Sequence, residues 1–217
     1  MLFAYPQKSH FGRVLPKNKI YANAKITAAL KRKFIDQIDK IVWEYKLSPE
    51  TINLPSKNYV HEIQIFTVVL READLKDDVL RCIDNAIPFP IIYELVYNQQ
   101  IKMKSAYKRP SEADSGKWVT ENYFETDWQR IDTERVSLPV ALDLDVLYEK
   151  ILRSLMPKIR NDENLREQVQ RLAELQAKKT EAEKLESRIR KEKQFNRKIE
   201  LNAELRKLKA EIAKLNT

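Results

Sequence analysis

Glu62, Gln64 and Glu94 are the residues whose types and spacing come nearest to a catalytic pattern. In Glu62-Ile63-Gln64 two polar groups stand two positions apart in a run that reads as a strand, and side chains two apart share a face. Metal-dependent nucleases place a carboxylate and a polar or basic group in this way, to hold Mg²⁺ and position water. Glu94, in the next apolar run, would be a second ligand. The pattern is generic, because any alternating strand produces it. The usual lysine is absent, and no acid is clearly placed upstream. The three residues stand as candidates, and none is assigned as catalytic. If they are structural, their carboxylates should sit in hydrogen-bonded or charged pairs along a sheet.

Other chemistry is excluded by composition. Two glycines in 217 residues cannot build a phosphate-cradling loop or a dinucleotide fingerprint, both of which need several. One cysteine, Cys82, and two distant histidines, His10 and His61, do not make a zinc site. No nucleophile elbow occurs. The reading is of a chain without an assigned metal or cofactor, and it leans away from an enzyme without closing the question. The lone cysteine permits no internal disulfide, the first residues lack a basic leader, and no apolar run spans a bilayer; together these point to the cytoplasm and away from a membrane.

The net charge of +8 is unevenly spread. Residues 1–46 hold ten Lys/Arg against three Asp/Glu, and residues 162–217 hold fifteen against eleven, while the middle is slightly acidic. Both basic ends could meet a polyanion. The candidate nucleic-acid contacts are Lys17, Lys19, Lys25, Arg32 and Lys33 near the N-terminus. Arg188, Arg190, Lys191, Lys193, Arg197 and Lys198 form a second cluster.

Residues 1–22 read as an irregular basic arm punctuated by Pro6, Gly12 and Pro16. Residues 23–160 read as a globular α/β domain. Ile26, Leu30, Phe34, Ile38, Ile41 and Tyr45 recur at helical spacing, which predicts a helix from Ala24 to Tyr45 capped at Asn23. Val60 to Leu70 is nearly continuous in β-branched and aromatic residues, as in a strand covered on both faces. A helix from Leu75 to Ala86 and strands at Ile91–Tyr97, Ile101–Lys108 and Trp118–Trp128 follow. The lysines of the third strand and the acids of the fourth suggest a cross-strand charge ladder. Asp143 or Asp145 caps a last helix through Leu155. The fold class is α+β, or α/β, with a mixed sheet flanked by helices.

Residues 161–217 have neither Gly nor Pro and consist of strong helix formers. Leu201, Leu205, Leu208, Ile212 and Leu215 alternate by four and three, the repeat of a coiled-coil seam. So thin a stripe needs a partner helix, in this chain or another. Between this register and the one begun by Leu165 lies an i, i+4 pair, Phe195 and Ile199, set among charges. The segment is either a long coiled-coil helix with a stutter or a helical hairpin that doubles back there. Phe195 and Ile199, with the five seam residues, are the candidate partner contacts.

Val14-Leu15-Pro16-Lys17-Asn18-Lys19-Ile20-Tyr21, His61-Glu62-Ile63-Gln64-Ile65-Phe66, Pro88-Phe89-Pro90-Ile91-Ile92-Tyr93-Glu94-Leu95 and Ala106-Tyr107-Lys108-Arg109-Pro110 resemble motifs of a bacterial and archaeal family of unknown function. The stretch from Lys191 to Asn202 resembles that family's C-terminus. Members are encoded beside DNA-adenine methyltransferases and superfamily-two helicases in restriction-like phage-defence loci. The resemblance therefore implies a non-enzymatic accessory or adaptor subunit of such a defence complex. Its partners would be the helicase and the DNA methyltransferase, with DNA as a further contact and the coiled coil as the means of homo-dimerisation or hetero-oligomerisation. It supplies no catalytic residue. A metal-dependent nuclease and a stand-alone DNA-binding module are the alternatives.

Overall fold

The computed structural model describes residues 1–24, 26–114, 116–157, 159–160 and 162–216. The chain divides into two compact units, residues 1–156 and 157–217.

The first unit is a mixed α+β fold. In chain order its elements are β1 (Phe3–Ala4), β2 (His10–Val14), α1 (Lys17–Asn23), α2 (Ala28–Gln37), β3 (Ile38–Leu47), α3 (Pro49–Ile52), β4 (Ile63–Leu70), α4 (Asp77–Ala86), β5 (Ile91–Tyr97), β6 (Gln100–Pro110), β7 (Trp118–Glu125), β8 (Gln129–Arg130), β9 (Val136–Ser137) and α5 (Leu144–Ser154). The main sheet runs β2-β3-β4-β5-β6-β7, with β8 also paired to β6, and a second two-stranded sheet joins β1 to β9. β4 and β5 are parallel and the other main-sheet pairs antiparallel. A parallel pair needs a crossover, and α4 supplies it. On one face Phe66, Val68, Ile91, Tyr93 and Leu95 pack with Phe34 of α2 and with Val79, Leu80 and Ile83 of α4. The alternate residues Ile63, Ile65 and Ile92 are equally buried. β4 is therefore covered on both faces, as its unbroken apolar run requires.

Among the described residues of the helix expected from Ala24 to Tyr45, Ala28–Gln37 is helical, and Ile38–Leu47 is instead the strand β3. Thr27 caps α2, its hydroxyl accepting from the Leu30 amide at 3.2 Å. The apolar residues Ile38, Ile41 and Tyr45 fit helical spacing. Yet the same stretch, with Val42 and Trp43, is rich in β-branched and aromatic side chains. Pairing with β2 on one side and β4 on the other decides the outcome. Asp143 caps α5 by accepting from the Val146 amide at 2.8 Å. Asp145 instead takes the amides of Asn58, Tyr59 and Val60 at 3.0–3.4 Å.

The second unit consists of α6 (Leu165–Lys191) and α7 (Phe195–Asn216), which pack against each other. α6 opens with a reciprocal capping box between Asn164 and Glu167, both bonds 3.0 Å. The chain reverses at Glu192–Gln194 with neither Gly nor Pro. There the Glu192 carboxylate accepts from the amides of Lys193 and Gln194 at 2.8 and 2.9 Å. Leu165, Val169, Leu172, Leu175, Ala182 and Leu185 of α6 are buried, as are Leu201 and Leu208 of α7. Leu205, Ile212 and Leu215 are half-buried. Lys178 reaches Glu211 at 2.6 Å and Lys209 reaches Glu186 at 2.7 Å. The helix partner that the seam needs thus lies in the same chain.

Glu163 ties together the open end of this hairpin, where α6 begins and α7 ends. It binds Arg171 at 2.7 Å and Arg160 at 3.1 Å, and both arginines donate to the Leu215 carbonyl. Cations at the C-terminal carbonyls of α7 oppose its dipole favourably. The bond from Arg171 holds the Glu163 carboxyl below its ordinary value of 4.5. A depressed carboxylate contributes stability that is present above the ordinary value and is lost as pH falls through the folded one. Glu163→Gln should therefore cost about 1 kcal/mol at neutral pH and nothing in acid. Comparing far-ultraviolet circular dichroism melts of both proteins across that range checks this. An equal deficit at both pH values would show that the carboxylate charge is irrelevant.

Candidate functional site

Gln64 stands at the start of β4, flanked by Lys46 of β3 and Ile91 of β5 in register. Its backbone amide donates to the Pro90 carbonyl at 2.9 Å. Its side-chain Nε2 donates to Oε1 of Glu62, and the other oxygen of Glu62 pairs with Lys46 Nζ at 2.9 Å. The carboxylate sets the orientation of the amide, because only the NH₂ end can donate to it. Gln64 Oε1 is then directed away from Glu62. It is buried and has no hydrogen-bond partner, and the residue as a whole is only 3% exposed. An orphaned buried acceptor costs about 1–3 kcal/mol, so this one needs an explanation.

Gln64 lines a cavity of about 240 Å³. β3 and β4 contribute Trp43 and Phe66, α1 contributes Lys19 and Ile20, the link between β2 and α1 contributes Leu15, and the end of α4 with its following loop contributes Ala86 to Phe89. The loop turns here because Pro88-Phe89-Pro90 cannot continue the helix. The site is therefore an aromatic and aliphatic pocket with one buried amide and one lysine.

Glu94 lies elsewhere. It is opposite Thr67 in the β4–β5 register, and Thr67 is three positions from Gln64. Glu94 and Gln64 therefore point to opposite faces of the sheet. Glu94 is clamped by Arg135, with Nη1 to Oε1 at 2.6 Å and Nη2 to Oε2 at 2.9 Å. Arg135 also donates to the Phe3 carbonyl at 2.8 Å, tying the β1–β9 pair to the main sheet. Burial, reinforced by Glu94, pushes the Tyr5 hydroxyl well above its ordinary value. The three acid and amide candidates thus form two separate structural pairs. Among the described residues no group of three or more His, Cys, Asp or Glu is placed to hold a metal ion. His10 lies 3.4 Å from Glu44 and His61 bonds Ser56 at 2.7 Å.

A buried ion pair that sequence reasoning missed lies behind the pocket. Lys108 Nζ donates to the carbonyl of Asp84 at 2.5 Å and to that of Ile87, and sits 3.5 Å from Asp84 Oδ1. Tyr123 donates to the second oxygen of Asp84. The ammonium thereby caps the C-terminal end of α4, where the helix dipole is negative. Burial raises the Asp84 carboxyl above its ordinary value and lowers the Lys108 ammonium, each opposed by the other's charge. The expected lysine row splits. Lys102 and Lys104 pair with Glu125 of β7 at 3.1 and 2.7 Å, whereas Lys108, past a register shift in β6, turns to Asp84. Its regular spacing in sequence hid that difference.

The basic candidates also part company. Lys17 donates to the Ile38 carbonyl at 2.6 Å, where burial lowers its ammonium. Arg32 pairs with Asp36 at 3.5 Å and Lys33 with Asp78. Lys19 borders the pocket, and Lys25 lies outside the described residues. In the second unit Arg188, Arg190, Lys191, Lys193, Arg197 and Lys198 are all exposed and gather around the hairpin turn. Arg197 pairs with Glu200 at 2.5 Å. In their midst Phe195 and Ile199 are 75% and 54% exposed. Of the seven expected partner contacts these two point outward, while Leu201 and Leu208 are buried.

A family model described as Domain of unknown function (DUF4391) matches residues 3–212. No curated protein and no solved structure matches the chain. Among the described residues no helix is long and apolar enough to cross a membrane.

Proposed function

On the premise that the chain belongs to the DUF4391 family, we propose that it is a cytoplasmic, non-enzymatic adaptor subunit of a restriction-like anti-phage defence complex. The helicase and the DNA methyltransferase encoded with such proteins would be its partners, and it would dock through the tip of its helical hairpin. The observation that carries this reading is the exposed Phe195–Ile199 pair inside a ring of cations. An apolar pair of this size placed in water has no role within its own hairpin. It resembles the aromatic anchor and charged rim of a protein interface. The buried seam stiffens the hairpin itself, so the residues at its turn are presented on a fixed local frame.

The test is co-expression with the helicase and methyltransferase subunits. The double variant Phe195→Asp, Ile199→Asp should lose co-purification while its unfolding free energy stays within about 0.5 kcal/mol of the parent, as for exposed sites. A complex that forms undiminished with this variant sinks the docking proposal. The six cations favour a second reading, in which the same tip lies on a DNA backbone. Such binding would weaken steeply with salt, whereas the apolar contact would not.

A further inference from the structure

We infer that the cavity beside Gln64 is a nucleobase-binding site that receives the amino edge of adenine or cytosine and leaves the attached phosphate toward Lys19. Three independent features converge on that ligand. First, its volume of about 240 Å³ falls below the roughly 300–1,000 Å³ of drug-sized ligand pockets, which suits a single base with its sugar and phosphate outside. Second, Trp43, Phe66 and Phe89 line it, and aromatic walls take a flat π-system without regard to its sequence. Third, its buried amide carries an unpaired acceptor. Glu62 takes one N–H of the Gln64 amide, and the carbonyl end is unpaired. A ligand that brings an N–H donor satisfies that acceptor. The exocyclic amino groups of adenine and cytosine are such donors, flanked by a ring acceptor rather than a second carbonyl.

The relay Lys46–Glu62–Gln64 gives this reading its chemical sense. A free glutamine can rotate its amide and accept either a donor or an acceptor. Here the carboxylate, itself held by Lys46 at 2.9 Å, locks the carbonyl as the reading group. Lys19, on the exposed side of α1, supplies positive charge at the cavity wall for a phosphate. The adaptor role does not require this site, and the two stand or fall separately.

Titration calorimetry on the full chain tests it, with adenosine, adenosine and cytidine 5′-monophosphates, purine riboside 5′-monophosphate and inorganic phosphate as probes. The adenosine and cytidine nucleotides should bind. Purine riboside monophosphate, which lacks the amino group, should bind about tenfold more weakly, as for one lost hydrogen bond. Gln64→Met should erase that discrimination. Lys19→Gln should weaken adenosine monophosphate but not adenosine. Ala86→Phe fills the cavity without touching Gln64 and should abolish binding in a protein whose circular dichroism is unchanged. A parallel titration with a short adenine-rich single strand separates the sources. Tighter binding of the strand, lost in Ala86→Phe, assigns the site to a base of a nucleic acid, and tighter binding of the mononucleotide assigns it to a free nucleotide. Absence of binding by every base-containing probe at about 1 mM, or binding that survives both Gln64→Met and Ala86→Phe, overturns the inference.

Discussion

Lys108→Met should lower the unfolding free energy by about 3–5 kcal/mol, the usual cost of removing one partner from a buried ion pair. The side chains of Lys108 and Asp84 are 1% and 2% exposed, so water cannot replace the lost ammonium. Three groups lose their donor together: the Asp84 carboxylate and the carbonyls of Asp84 and Ile87 at the end of α4. The bond from Tyr123 remains but cannot neutralise the charge. A urea titration measures the loss as a lower midpoint at unchanged slope. Adding Asp84→Asn should recover part of it, because the stranded charge then disappears while the carbonyls stay uncapped.

The pH dependence of the same variant gives an independent check. Burial already raises the Asp84 carboxyl above its ordinary value of 3.8, and Lys108 is the first of the groups opposing that rise. Without Lys108 the folded value climbs further. A carboxyl whose folded value is raised favours the native state in acid, and this contribution is lost as pH rises through the folded value. The deficit of Lys108→Met should therefore be smallest near pH 4 and grow toward neutrality. A deficit independent of pH would mean that the carbonyl caps, not the charge, carry the effect.

What was legible in the sequence follows from how local each cause is. β4 and β5 are near-continuous β-branched runs bounded by polar and proline-containing segments, so chain chemistry alone specifies them. α5 is announced by Asp143, and the seam of α7 by the spacing of Leu201, Leu205 and Leu208. β3 reads as helix because Ile38, Ile41 and Tyr45 continue the helical spacing of Ile26, Leu30 and Phe34. The ladder with β2 and β4, invisible in sequence, outweighs that periodicity. The hairpin turn carries no Gly or Pro, and its signal is a single capping carboxylate, Glu192. At the site, Gln64 reads as a polar residue on a central strand. The partners that give it meaning, Lys46 across the sheet and the cavity beneath Pro88-Phe89, exist only after folding. Lys108 reads as one more member of the lysine row of the charge ladder, and its turn toward Asp84 exists only in the folded sheet.

Arg135→Ala should destabilise the protein by a comparable amount, about 3–5 kcal/mol, and it also discriminates between the adaptor and nuclease readings. The Glu94 side chain is only 4% exposed, and its two oxygens are both spent on the Arg135 fork, a bidentate geometry that is among the stronger charged contacts. Removing the fork leaves a buried carboxylate unpaired and frees the Phe3 carbonyl, so the β1–β9 pair should loosen with it. Arg135→Lys keeps a charge but not the planar fork, and should restore roughly half of the loss. The vacated pair is also the most favourable test of metal binding that this sheet offers. If Glu94 were a ligand, Mg²⁺ or Mn²⁺ should take the place of the guanidinium and raise the thermal midpoint of Arg135→Ala, by the linkage between binding and stability. The expected result is no rise at millimolar metal, with plasmid and single-stranded DNA left intact by the parent protein. Glu94 and Gln64 face opposite sides of the sheet, so they cannot share one ion. Metal-dependent rescue of Arg135→Ala, together with DNA cleavage lost in a folded Glu94→Ala, would displace the adaptor reading in favour of a nuclease.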